Sequence, residues 1–154
     1  MALADILVPE GIIPGLRANS KKQLLVELAN CASKITGISE RDIFDVVLQR
    51  EKLGSTGVGG GIAIPHGKLK SLDRIVGVFA RLEQPVDFEA LDDQPVDLVF
   101  MLLAPEGAGA DHLKALSRIA RMMRDHSLVE RLRGSDSVPA IEACLNQEQA
   151  SNAA

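Results

Sequence analysis

The chain has 154 residues, 46% apolar and 25% charged, with a formal net charge of −4. That balance suits one soluble domain over residues 1–154, large enough to bury a core without disulfides, and no apolar run approaches the ~18 residues of a membrane span. The opening Met-Ala-Leu-Ala-Asp lacks the basic and long apolar segments of a secretory signal, so the chain is expected in the cytoplasm. Trp and Tyr are absent, which removes base stacking on those rings.

In chain order, the first residues, with Pro9 and Pro14, read as a short extended entry. Ser20 then starts a helix as N-cap, with Gln23 in capping-box position. Leu24, Leu25, Leu28, Ala32 and Ile35 follow at helical spacing until Gly37. Ser39 with Asp42 reads as a second N-cap; Ile43, Val46 and Val47 give that helix its apolar face, and Gly54 stops it. Arg50 lies near its C-terminal end. Gly61–Ile64 reads as a short strand ending at Pro65-His66. Arg74–Leu82 is predicted as a strand with Val76, Val78, Ala80 and Leu82 on one face, and Val86–Phe88 as another. Val96–Leu103, nearly all apolar, fits a strand buried on both faces. Asp111 is predicted to cap a helix to about Asp125, striped by Leu113, Leu116, Ile119, Ala120 and Met123. Helices over Leu128–Leu132 and Val138–Leu145 follow, with a short, flexible tail of small and polar residues expected from about Gln147. Helices and strands interleave, which points to a sheet covered by helices. Cys31 and Cys144 fall in helices far apart and are expected as reduced thiols.

The most informative stretch is Gly54-Ser55-Thr56-Gly57-Val58-Gly59-Gly60-Gly61-Ile62-Ala63-Ile64-Pro65-His66-Gly67-Lys68. Glycines allow backbone to approach an anion closely, and successive N–H groups make concave anion sites. The stretch fails the Walker A pattern, because Gly60 and Gly61 stand where Lys and Ser/Thr belong, and it holds no Gly-x-Gly-x-x-Gly. That leaves His66 as the chemical centre, since neutral imidazole is a nucleophile near neutral pH. Arg50 offers a forked donor to phosphoryl oxygens. Ser55, Thr56, the backbone of Gly67 and the charge of Lys68 offer further support. Arg50 to Arg74 holds five basic and two acidic residues, whereas eight acids and no Lys or Arg lie between Arg81 and Lys114. The acidic run reads either as a solvated edge or as a surface steering a basic partner.

His112, in the first turn of the Asp111 helix, is the second candidate: it reads as a surface residue, as a neutral donor to a phosphoryl oxygen, or as a residue that orients His66. A metal site on the two histidines would need a further ligand such as Asp111, and no ligand spacing supports it. Lys114, Arg118, Arg121 and Arg124 read as the solvated face of an amphipathic helix rather than a nucleic-acid stripe. His126 reads as structural or exposed.

These residues together resemble the mannitol/fructose/nitrogen-regulatory class of phosphotransferase-system IIA proteins. The resemblance runs from about Leu16 to Leu145. It is sharpest at Arg50-Glu51, Gly54 to Gly59, Gly61 to Lys68, Gln94-Pro95-Val96 and His112 to Ser117. It implies an α/β single domain with a central mixed sheet flanked by helices, the mannitol-type IIA fold, and no metal, nucleotide or other cofactor. It also implies that His66 accepts phosphate from an HPr-type phosphocarrier, with His112 and Arg50 lining the site. Gly60 stands where many relatives carry a larger polar residue, and Asp93 where glycine is common. The chain most resembles the nitrogen-regulatory branch, read as free-standing. In that branch phosphorylation controls binding to regulatory targets such as potassium-handling proteins or sensor kinases. The alternative is a fructose or mannitol IIA subunit feeding a IIB domain. Neither role implies nucleic-acid binding or membrane insertion.

Overall fold

The computed structural model describes residues 2–153. Its organising element is strand β6 (Val96–Pro105), where Leu98 to Ala104 are all buried. Such a run fits only a strand covered on both faces. Antiparallel to β6 lies β5 (Val76–Val86), and β1 (Ile12–Leu16) adds to the outer edge of β5 in parallel. On the other side of β6, β3 (Ile62–Ala63) and β4 (His66–Leu69) pair in parallel, end to end. The short β2 (Gly57–Gly59) closes that edge, antiparallel to β3. Among the described residues these six strands form one mixed sheet.

Helices cover both faces. Helix α2 (Lys21–Thr36) starts where expected: the Ser20 hydroxyl accepts the N–H of Gln23 at 3.1 Å, and Gly37 ends it at φ 76°. Helix α3 (Glu40–Lys52) begins after Ser39, but the Ser39 side chain makes no capping bond. Together α2 and α3 bury Leu24, Leu25, Leu28, Ile43 and Val47 against Val76, Val78, Ala80 and Leu82, the alternation read from the sequence. The opposite face of the sheet, with Phe79, Leu98, Phe100 and Leu102, is covered by four helices. These are α1 (Leu3–Ile6), α4 (Ala110–Met122), α5 (His126–Arg133) and α6 (Val138–Ala153).

Several elements differ from expectation. The entry is not merely extended: Leu3 and Ile6 bury as a helical turn, and β1 pairs in the sheet despite Pro14, which an edge strand tolerates. The short strand expected at Val86–Phe88 is partly the end of β5. Helix α4 is capped by Gly109, with Asp111 inside its first turn. Its buried residues are His112, Ala115, Ile119 and Met122, while Leu113 is 65% exposed. The predicted stripe is therefore turned at its start, because His112 takes a core position that apolar residues alone do not reveal. The backbone of α6 continues through the expected tail to Ala153, in keeping with its Ala and Gln content and lack of Gly; Ala154 lies outside the described residues.

Candidate functional site

The segment from Ile62 to Leu69 is one interrupted strand. Its two halves keep a single register along β6, Ala63 opposite Val99 and His66 opposite Leu102. The interruption falls at Ile64-Pro65, where proline has no N–H to give the ladder. There Nδ1 of His66 lies 2.9 Å from the carbonyl oxygen of Ile64. A carbonyl only accepts, so Nδ1 is the donor, and the neutral ring keeps its lone pair on Nε2.

Two further elements converge on that ring. His112, 5% exposed at the start of α4, places its ring centroid 5.8 Å from that of His66, tilted by 52°. Its Nδ1 is buried with no hydrogen-bond partner among the described residues. Arg50, in the last turn of α3, lines the same open cleft of about 440 Å³, together with Leu53, Gly67 and Lys68. Two clefts of about 590 Å³ lie elsewhere, and neither is lined by a histidine. Burial, then the Arg50 charge, pushes His66 below its ordinary 6.5, with the Ile64 carbonyl and Glu51 pulling the other way. Burial, then His66 and Lys68, lowers His112. Both rings are therefore neutral at pH 7.

The structure thus brings together Arg50, His66, His112, Gly67 and Lys68. Gly67 serves by being small: a Cβ there would run into Cγ1 of Val46, so glycine lets α3 lie close on β4. Ser55 and Thr56, expected as donors to phosphate, spend their hydroxyls inside the fold. Ser55 Oγ donates to the Phe88 carbonyl at 2.8 Å, and the Thr56 hydroxyl donates to Glu51. The glycines form the β2–β3 hairpin rather than an open loop. Gly60 and Gly61 turn its tip at φ 65° and 82°. The Gly60 N–H already meets an anion, Oδ2 of Asp92 at 3.0 Å, and its carbonyl accepts from Nη2 of Arg133 at 2.6 Å. The glycine stretch therefore supports the segment carrying His66 and does not line the cleft. Asp93 sits at φ 59°, a left-handed conformation that glycine favours and Asp tolerates.

Glu51 is what a reading centred on histidines passes over. It is 6% exposed, beside Arg50 in sequence. The signal was present: Ile43, Val47 and Glu51 repeat every four residues, so the acid continues the apolar line of α3. Among the described residues no group of three or more His, Cys, Asp or Glu side chains is placed to hold a metal ion, and no helix is long and apolar enough to cross a membrane.

Known proteins resemble this chain in sequence and in fold. Residues 5–148 match the family model described as phosphoenolpyruvate-dependent sugar phosphotransferase system, EIIA 2. A nitrogen regulatory protein of Bradyrhizobium diazoefficiens is 60% identical over 145 residues, 94% of this chain and 95% of that protein. The crystal structure of nitrogen regulatory protein IIA-Ntr from Neisseria meningitidis superposes with TM-score 0.88 at 38% identity, covering 93% of this chain and 98% of that one. The mannitol enzyme IIA of Escherichia coli, solved in complex with phosphorylated enzyme IIB, superposes with TM-score 0.75 at 26% identity, covering 90% and 95%.

Proposed function

The chain belongs to the phosphotransferase-system EIIA 2 family, and from that membership we propose that it is a cytoplasmic phosphoryl carrier of the nitrogen-regulatory kind, accepting phosphate on His66 from an HPr-type phosphohistidine protein. The observation that carries this reading is the hydrogen bond of His66 Nδ1 to the Ile64 carbonyl, 2.9 Å long, which leaves Nε2 as the nucleophile.

In the transfer, Nε2 forms a bond to phosphorus as the donor's N–P bond breaks, and that bond's electron pair returns to the donor imidazole. The proton stays on Nδ1, held in its hydrogen bond to the Ile64 carbonyl. The transition state is loose and its charge sits on the equatorial oxygens, so positioned cations and donors do most of the work. Arg50 supplies the forked donor. Neutral His112 donates one ring N–H to an oxygen, and Lys68 adds positive charge at the rim.

Phosphate on His66 places up to two negative charges in the cleft, next to Leu53, which is 85% exposed. A partner laying an apolar face over Leu53 would have to desolvate that charge, so phosphorylation turns binding off or redirects it. Potassium-handling proteins and sensor kinases are the regulatory targets this branch suggests. Incubation with a phosphorylated HPr-type protein is expected to leave one acid-labile, base-stable phosphate per chain; a chain that takes none would overturn the reading. Pull-downs with His66→Ala and His66→Asp are expected to differ, and identical partner sets would argue against a switch.

The likeness to mannitol enzyme IIA favours a second reading, in which the phosphate passes on to a IIB domain. Passage of label from this chain to a fructose or mannitol IIB would support it.

A further inference from the structure

Behind the site lies a buried ion pair that the phosphoryl step does not use. Nζ of Lys21 stands 3.0 Å from Oε1 of Glu51, with the two side chains 17% and 2% exposed. Lys21 also lies 4.6 Å over the ring of Phe88. It occupies the first position of α2, where a cation opposes the helix dipole. Burying a carboxylate is costly even when it is paired, and apolar residues of like volume commonly hold a fold as well. Charge in this place therefore calls for a task other than stability.

The bonds made by Glu51 point to that task. Its Oε1 accepts the Thr56 N–H at 3.1 Å, and its Oε2 accepts the Thr56 hydroxyl. Two residues back along the same turn, the Gly54 carbonyl accepts Nη1 of Arg50 at 2.9 Å. The Gly54 N–H returns to the Glu51 carbonyl at 3.1 Å. The turn 54–56 is thus clamped at Thr56 by the Glu51 carboxylate, and the Arg50 guanidinium rests on its other end.

We propose, building on the phosphoryl-carrier reading, that Glu51 is the positioning residue of this site: pinned by Lys21 and bonded to Thr56, it fixes the turn on which Arg50 rests and so aims Arg50 at the phosphoryl group on His66. Glu51 never touches phosphate and acts through Arg50. Its charge also bears on His66 directly, holding the imidazole against the downward pull of burial and Arg50.

The test combines Glu51→Gln, Thr56→Val and Arg50→Ala with transfer kinetics and NMR of the His66 ring and the Arg50 guanidinium. Glu51→Gln is expected to lower kcat for phosphoryl acceptance roughly ten- to a hundredfold, with KM for the donor protein little changed. In the Arg50→Ala background it should add nothing, as coupled residues require. The Arg50 guanidinium signals should lose protection in both Glu51→Gln and Thr56→Val. The His66 titration midpoint should fall in Glu51→Gln and hold in Thr56→Val. Multiplicative rate effects in both backgrounds, or Arg50 signals indifferent to both variants, would overturn the proposal. If the wild-type chain accepts no phosphate, the carrier reading alone fails, and the Arg50 signals and His66 titrations still decide the role of Glu51. Should Glu51→Gln not fold, Thr56→Val carries the kinetic and Arg50 arms.

Discussion

His66 and His112 meet ring to ring, centroids 5.8 Å apart and tilted by 52°, one at the start of a strand and the other at the start of a helix. Both are driven below the ordinary imidazole value of 6.5, chiefly by burial, and each faces cationic neighbours: Arg50 for His66, Lys68 for His112. A protonated His66 has no lone pair on Nε2. Phosphoryl acceptance should therefore be flat at neutral pH and fall on the acid side with a midpoint below 6.5. A pH–rate profile with its acid limb at or above 6.5 would contradict this.

The same shifts bear on stability. The unfolded chain binds protons on these rings at higher pH than the folded chain does. The stability they contribute is full above about pH 6.5 and is lost as pH falls through the folded values. His112→Asn should accordingly soften the decline in stability between pH 6.5 and 5, measured by denaturant titration against wild type. An unchanged slope would argue that His112 is not depressed by burial.

On the carrier reading, Arg50→Ala removes a forked donor to the phosphoryl group, while among the described residues its side chain gives the fold one hydrogen bond, that to the Gly54 carbonyl. Acceptance should slow by about a hundredfold, as loss of one electrostatic donor does elsewhere. Unfolding free energy should change by no more than ~1.5 kcal/mol. Normal single-turnover kinetics would remove Arg50 from the site.

Much of this was legible in the sequence, for identifiable reasons. The caps of α2, the alternating face of β5 and the doubly buried β6 are local patterns, and a local pattern carries its own evidence. Arg50 and His66 could be named because they sit in one short stretch. The pairing of β3 and β4 depends on a partner strand some 36 positions away in register, as with His66 and Leu102, and the strands of the β2–β3 hairpin, three and two residues long, are too short to show an alternation, so the glycines read as a loop. Asp92 filling the Gly60 turn was hidden for the same reason. The buried face of α4 departs from the apolar stripe because its first buried residue is a histidine, which a count of apolar residues passes over.

Gly67 offers a test of the packing that sets the site. An added methyl would strike Val46, so Gly67→Ala should push α3 away from β4. Overpacking of this kind costs about 1–3 kcal/mol, and Arg50 moves with its helix. Stability and transfer rate should fall together in thermal melts and kinetics. A variant with wild-type values for both would mean that α3 does not position Arg50 through this contact.

His66 is proposed to carry the phosphate on Nε2, and the position of the nitrogen–phosphorus bond decides whether it does. The chain, labelled with ¹⁵N at histidine, is phosphorylated by an HPr-type donor and its imidazole nitrogens are read for coupling to ³¹P. One coupled nitrogen is expected, Nε2 of His66, with Nδ1 still protonated and no label in His66→Ala. Phosphate on Nδ1, or equal labelling of His66→Ala, would contradict it.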